Sequence, residues 1–153
     1  MGQINMGRVI LGGLVAGVVI NAFELVLNLF VLADQAAAAM KALGKTADYT
    51  INQIATFVAL GFVIGILTVW LYAAIRPRFG AGPKTGVLAG VTVWFAATLL
   101  PNIFLTVGGL FPVGFILTGT AVGLVEMAVA GAVGAALYQE DASATTRTAT
   151  ARA

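Results

Sequence analysis

The chain contains no cysteine and no histidine. Without cysteine there is no disulfide framework, no thiolate nucleophile and no sulfur-ligated cluster. Without histidine the commonest ligand for zinc, copper and haem is missing, as is the usual general base near neutral pH. Charge is scarce as well. Only 9% of the 153 residues are charged, eight Lys/Arg and six Asp/Glu, where a soluble domain carries about 25%. So few charges cannot clothe a water-soluble fold of this length. The net charge is +2. Its basic residues are scattered and flank apolar segments, which argues against a nucleic-acid partner. No enzyme activity, cofactor, metal site or catalytic residue is expected.

What the chain does have is apolar sequence. Hydrophobic residues reach 60%, against roughly 45–50% in soluble domains. A helix needs about 20 mostly apolar residues to span a bilayer. Four stretches meet that length, at about residues 9–33, 54–75, 85–104 and 113–138. The first is longer than the roughly 7–15-residue core of a cleaved signal peptide. It also carries Asn21, Glu24 and Asn28, and is expected to be retained as a span. The fold class expected is all-α, a bundle of four transmembrane helices over residues 1–140. Residues 141–153, rich in Ala, Thr and Arg with no apolar period, are expected to form a disordered tail.

Orientation follows from the distribution of Lys and Arg. Arg8, then Arg76, Arg78 and Lys84, then Arg147 and Arg152 fall on one side of a four-span chain. Lys41 and Lys45 fall on the other, balanced by Asp34 and Asp48. Both termini are therefore expected in the cytoplasm. Between the first two spans the alanine-rich segment 34–43 favours helix, with Gly44 as its stop. Residues 76–84 (RPRFGAGPK) have the composition of a tight turn. Gly108 to Pro112 breaks the apolar run between the last two spans.

The two halves repeat. GLVAGV at residues 13–18 is matched by GVLAGV at 86–91. Gly65, Leu71 and Tyr72 are matched, at the same spacing, by Gly131, Leu137 and Tyr138. Each half is a helical hairpin, and both hairpins enter from the same side. The repeat is thus parallel, about an axis along the membrane normal.

Two carboxylates, Glu24 and Glu126, lie inside the spans. A charged residue at the bilayer centre costs about 2.5–3.5 kcal/mol on insertion scales, so each is expected to face the bundle interior, a wet cavity or a partner. Gly17, Asn21, Glu24 and Asn28 share one helix face, as do Gly119, Gly123, Glu126, Ala130 and Gly134. The two stripes are expected to face each other, or an equivalent stripe in another subunit. Asn21, Glu24, Asn28 and Glu126 are the candidate binding residues. One reading makes them a proton- or cation-responsive site. The other makes them a hydrogen-bond clamp between helices or with a partner, although intramembrane hydrogen bonds average only about 0.6 kcal/mol.

Other features have blander expectations. Gly61 and Gly65 form a small-xxx-small step suited to close helix packing within the chain. Trp70, Tyr72 and Tyr138 sit where an interfacial aromatic belt is expected. Pro101-Asn102 is expected to stop the third helix, and the backbone carbonyls it frees could line a site. Residues 80–85 (GAGPKT) lack the spacing of a phosphate loop and follow no strand.

Four pieces carry a family resemblance: RVILGGLVAG at 8–17, NAFE at 21–24, LYAAIRPRFG at 71–80 and GLVE at 123–126. Together they resemble a group of small bacterial four-helix integral membrane proteins to which no function is assigned. The resemblance spans about residues 8–140. It implies the same topology and a location in the bacterial inner membrane, and brings no activity with it. Because four short helices bury limited surface, a homo-oligomer or a complex with another membrane protein is expected. Two functions stay open: a small accessory or interaction subunit, or a dimeric proton- or cation-linked transporter or channel using Glu24 and Glu126.

Overall fold

The computed structural model describes residues 3–46 and 48–140. The tail expected over 141–153 lies outside the described residues. Helix α1, Met6–Val26, begins where the Asn5 side chain accepts the Arg8 backbone N–H at 2.9 Å. That bond satisfies one of the donors a helix start leaves open. A π-helical turn at Leu27–Val31 follows, closed by Leu32 N–H donating to the Leu27 carbonyl at 2.8 Å. The alanine-rich segment forms its own helix α2, Ala33–Ala42. Gly44, at φ +69°, ends it: Gly44 N–H reaches the Lys41 carbonyl and Lys45 N–H the Met40 carbonyl. This is a Schellman stop, and the left-handed φ favours glycine.

Helix α3, Ile51–Phe79, opens with a capping box between Thr50 and Gln53. It runs through Pro77, so the turn expected from residue 76 is confined to residues 80–82. Pro77 lies in the last turn, where it removes a single ladder bond. The third span consists of α4, Pro83–Trp94, a π-helical turn at Phe95–Leu99 and α5, Leu100–Val107. Pro101 therefore does not stop the helix, contrary to the sequence expectation. Proline lacks the N–H that would bond four residues back, and its ring crowds that carbonyl. The wider π turn just before it accommodates both defects without breaking the rod. A second Schellman stop, at Gly109, ends α5. Helix α6, Val113–Leu137, is the last helix among the described residues.

Four helical segments, Met6–Val31, Ile51–Phe79, Pro83–Val107 and Val113–Leu137, are long and apolar enough to cross a membrane. Large apolar side chains such as Phe30, Phe104 and Val107 are exposed on their outer faces. This is the architecture of a multi-pass membrane protein, an all-α bundle of four spans.

The bundle is two hairpins. α1 packs chiefly on α3, and α4 on α6. Glycine sets their closeness, and the repeat is visible atom by atom. A Cβ placed on Gly65 would run into the Gly13 carbonyl and the Gly17 nitrogen. A Cβ on Gly131 would run into the Gly86 carbonyl and crowd the Gly90 nitrogen. The same backbone atoms meet at the same repeat positions, so both hairpins close through one motif. The hairpins join through α1 with α6, α3 with α4, and α3 with α6. Val9, Ala16, Val69 and Ala130 fill the centre of this closed half with no exposure.

Tyr72 and Tyr138 correct the sequence reading. They are 2% and 5% exposed, so they belong to the core and not to an interfacial belt. Trp70, which is exposed, remains compatible with the belt.

Candidate binding cavity

Beyond the glycine seam the four spans part and leave a cavity of about 550 Å³. It is bounded by all four spans and reaches Tyr49 in the loop before α3. Asn21, Glu24, Asn28 and Glu126 all line it. The two stripes read from sequence therefore do face each other inside one chain. Each stripe divides at the same depth. Gly17, Ala130 and Gly134 are buried in the packed half, while Glu24, Asn28, Gly119, Gly123 and Glu126 line the open half.

The side chains are held in distinct ways. Asn21 lies over Gly61, where any Cβ would strike its amide. Its Nδ2 donates to the Gly17 carbonyl at 2.8 Å and across to the Val58 carbonyl of α3 at 3.3 Å. The Gly61–Gly65 step thus packs within the chain: Gly65 admits the α1 backbone and Gly61 admits Asn21. Two turns further along, Asn28 Nδ2 donates to the Glu24 backbone carbonyl and to Glu24 Oε2, both at 2.8 Å. This fixes the Glu24 carboxylate, which is otherwise exposed to the cavity.

Glu126 is different. It is 4% exposed, and its Oε2 has no hydrogen-bond partner among the described residues. A buried polar atom left unsatisfied costs about 1–3 kcal/mol, more when charged, so such an atom calls for an explanation. Glu126 and Glu24 line the same cavity. Among the described residues, no Lys or Arg lines the cavity. The Arg76–Glu140 ion pair, 3.6 Å, lies at the opposite end of the bundle, where the Arg76 guanidinium stands over the Tyr138 ring.

Sequence reasoning did not single out Trp94 or Thr120, which pack beside the cavity with Asn102. Trp94 Nε1 donates to the Thr120 carbonyl of α6 at 3.0 Å, and Asn102 Nδ2 donates to Thr120 Oγ1 at 2.7 Å. These bonds brace α4 and α5 against α6 beside the cavity. The signal was in the repeat. Trp94 lies four residues beyond Gly90, as Asn21 lies four beyond Gly17. Both reach from the first helix of a hairpin to a backbone carbonyl of the second.

With two carboxylates, two amides and no counter-charge, the cavity can bind a cation or exchange protons. Among the described residues, no three His, Cys, Asp or Glu side chains come together as a metal-ligand set. Comparison with protein-family models, with curated proteins and with solved structures finds no match to this chain.

Proposed function

We propose that this protein carries a cation- or proton-exchanging site within the membrane, of the kind a small transporter or channel uses. Glu24 and Glu126 are its exchanging groups, and Asn21 and Asn28 its supporting ligands. One observation carries the reading: Glu126 and Glu24 line one cavity in which the described residues place no basic side chain, and the buried Glu126 Oε2 has no hydrogen-bond partner among them. A helix clamp requires partnered side chains. Intramembrane ionisable residues that face a cavity more often mark ion or proton paths. The site draws on all four spans of one chain, so the proposal holds for a monomer as well as a dimer.

The membrane is proposed to be the bacterial inner membrane, with both termini cytoplasmic. The family resemblance supports the first, and the Lys/Arg bias between loops supports the second. The exchange reading is tested by reconstituting the protein in vesicles, imposing a cation gradient and following a trapped pH dye. Glu24→Gln and Glu126→Gln are expected to abolish the pH-dependent flux while leaving the fold and any oligomer intact. Unchanged flux in both variants would overturn it.

A separate observation favours the accessory-subunit reading. α1 and α6 flank an apolar groove of about 410 Å³ lined by Phe23, Val26 and Val122, a shape that admits a helix of another membrane protein or of a second copy. Native mass spectrometry of protein extracted from its own membranes separates these readings. Unrelated subunits in stable complex support the accessory role. A monomer or homo-oligomer contradicts it.

A further inference from the structure

We infer that the cavity takes an amphiphilic organic cation, one ammonium-like positive centre on an apolar body. The inference rests on the cation-site reading above and names the cation. Its strongest support is the way the repeat diverges. Glu24 lies seven residues beyond Gly17, and the corresponding residue beyond Gly90 is Ala97. Glu126 lies five residues before Gly131, and the corresponding residue before Gly65 is Leu60. All four line the cavity.

The pseudo-symmetry therefore places the carboxylates on the first and fourth spans, which adjoin through α1 and α6, and their apolar mates on the second and third, Leu60 on α3 and Ala97 in the π turn after α4, which adjoin through α3 and α4. One wall is acidic and the opposite wall is apolar. Phe57, Leu60, Ile64 and Ala97 make up the apolar wall, with Trp94 and Thr98. The Trp94 N–H is already bonded. A ligand matching both walls is charged at one end and apolar at the other.

Size and charge agree. About 550 Å³ lies within the roughly 300–1,000 Å³ of small-molecule sites, far above what a bare ion or a proton needs. Among the described residues the two carboxylates meet no basic side chain in the cavity, and both amide nitrogens are already engaged. No three His, Cys, Asp or Glu side chains of the described residues gather there for a metal ion, whereas an organic cation needs only charge complement and an apolar bed. Trp94 and the edge-to-face pair of Tyr49 and Phe57, with ring centroids 5.7 Å apart, add aromatic surface of the kind that attracts such cations.

The test is binding of tetraphenylphosphonium to the full-length protein in non-ionic micelles, measured by equilibrium dialysis and, in a Trp70→Phe background, by fluorescence of Trp94. The uncharged triphenylphosphine oxide serves as comparison. Saturable binding is expected, at least tenfold tighter than for the uncharged probe, and weakened at least tenfold in Glu24→Gln and in Glu126→Gln. Gly119→Phe should weaken it too. A Cβ at Gly119 meets nothing nearer than Leu32 Cδ1 at 3.8 Å, so the ring fills the cavity without touching the glycine seam. Should a Gln variant misfold, Gly119→Phe and the charge comparison on the wild-type protein still decide.

Non-saturable binding, equal affinity for both probes, or full affinity in the Gln variants would overturn the inference. If the Gln variants lose cation-driven flux while the wild type ignores tetraphenylphosphonium, the organic cation is wrong and the exchange site stands. If flux and binding are both indifferent to the Gln changes, both fall.

Discussion

Tyr72 and Tyr138, repeat mates from the two hairpins, meet edge to face with ring centroids 5.7 Å apart and planes at 86°. Each hydroxyl accepts a backbone N–H from the residue that caps the first helix of the opposite hairpin. Tyr72 takes Gly82, cap of α4, at 3.1 Å, and Tyr138 takes Asn5, cap of α1, at 3.3 Å. The pseudo-twofold axis thus passes between the two rings. Each hairpin anchors the start of the other, which holds this end of the bundle shut while the far end opens into the cavity.

Removing the hydroxyls alone tests that anchoring. Tyr72→Phe and Tyr138→Phe should each lower stability by about 0.5–1.5 kcal/mol, the net worth of a hydrogen bond. Either Tyr→Ala change, which also empties ring volume from the core, should cost about 3–5 kcal/mol. Denaturant unfolding in micelles measures both. A double Phe variant as stable as the parent would show that the hydroxyls do not anchor the helix starts.

The glycine seam predicts a sharp contrast among similar substitutions. Gly65→Ala and Gly131→Ala force a methyl group against backbone that cannot give way, and each should destabilise by about 1–3 kcal/mol or more. Gly114→Ala, where an added Cβ meets nothing within 4 Å, should be neutral or stabilising by up to about 1 kcal/mol. The repeat further predicts that Gly65→Ala and Gly131→Ala cost similar amounts. Thermal unfolding of the three variants checks both statements.

The π turn before Pro101 should depend on that proline. Pro101→Ala restores the missing N–H and permits a regular α-helix, which turns Asn102 away from Thr120. Because the chain lacks cysteine, a Cys pair introduced at positions 102 and 120 can report this directly. It should cross-link readily with Pro101 present and poorly after Pro101→Ala. Equal cross-linking would mean that the π turn has another cause.

Single-cysteine labelling resolves the topology. With both termini cytoplasmic, Lys45→Cys should react with an impermeant maleimide in intact cells. Ala81→Cys, between α3 and α4, should react only after permeabilisation. Labelling of both under the same condition contradicts four spans.

Much of this was legible in the sequence, for physical reasons that also mark the limits. Apolar length announced the spans. The repeated glycines foretold the seam, because backbone contact tolerates no side chain. The spacing of Asn21, Glu24 and Asn28 put them on one face of the first span, but periodicity does not fix helix rotation, so whether that face met the α6 stripe or another subunit stayed open. Pro101 misled, because local sequence shows the lost N–H but not the π turn that absorbs it. Tyr72 and Tyr138 misled similarly, since an amphipathic ring near a helix end suits an interface and a polar core contact equally well. Trp94 and Thr120 carry no charge and no period of their own. Only the pairing of hairpins reveals that they brace the cavity.

The central claim is that Glu24 and Glu126 form one site inside a single chain. The chain has three glutamates, at 24, 126 and 140, so ¹³C-glutamate labelling gives three side-chain carboxyl signals to assign and titrate by NMR. Glu140, paired with Arg76 at the other end of the bundle, is the internal control. The account predicts that Glu24→Gln changes the titration of Glu126. A Glu126 curve that superimposes on that of the wild-type protein would contradict it.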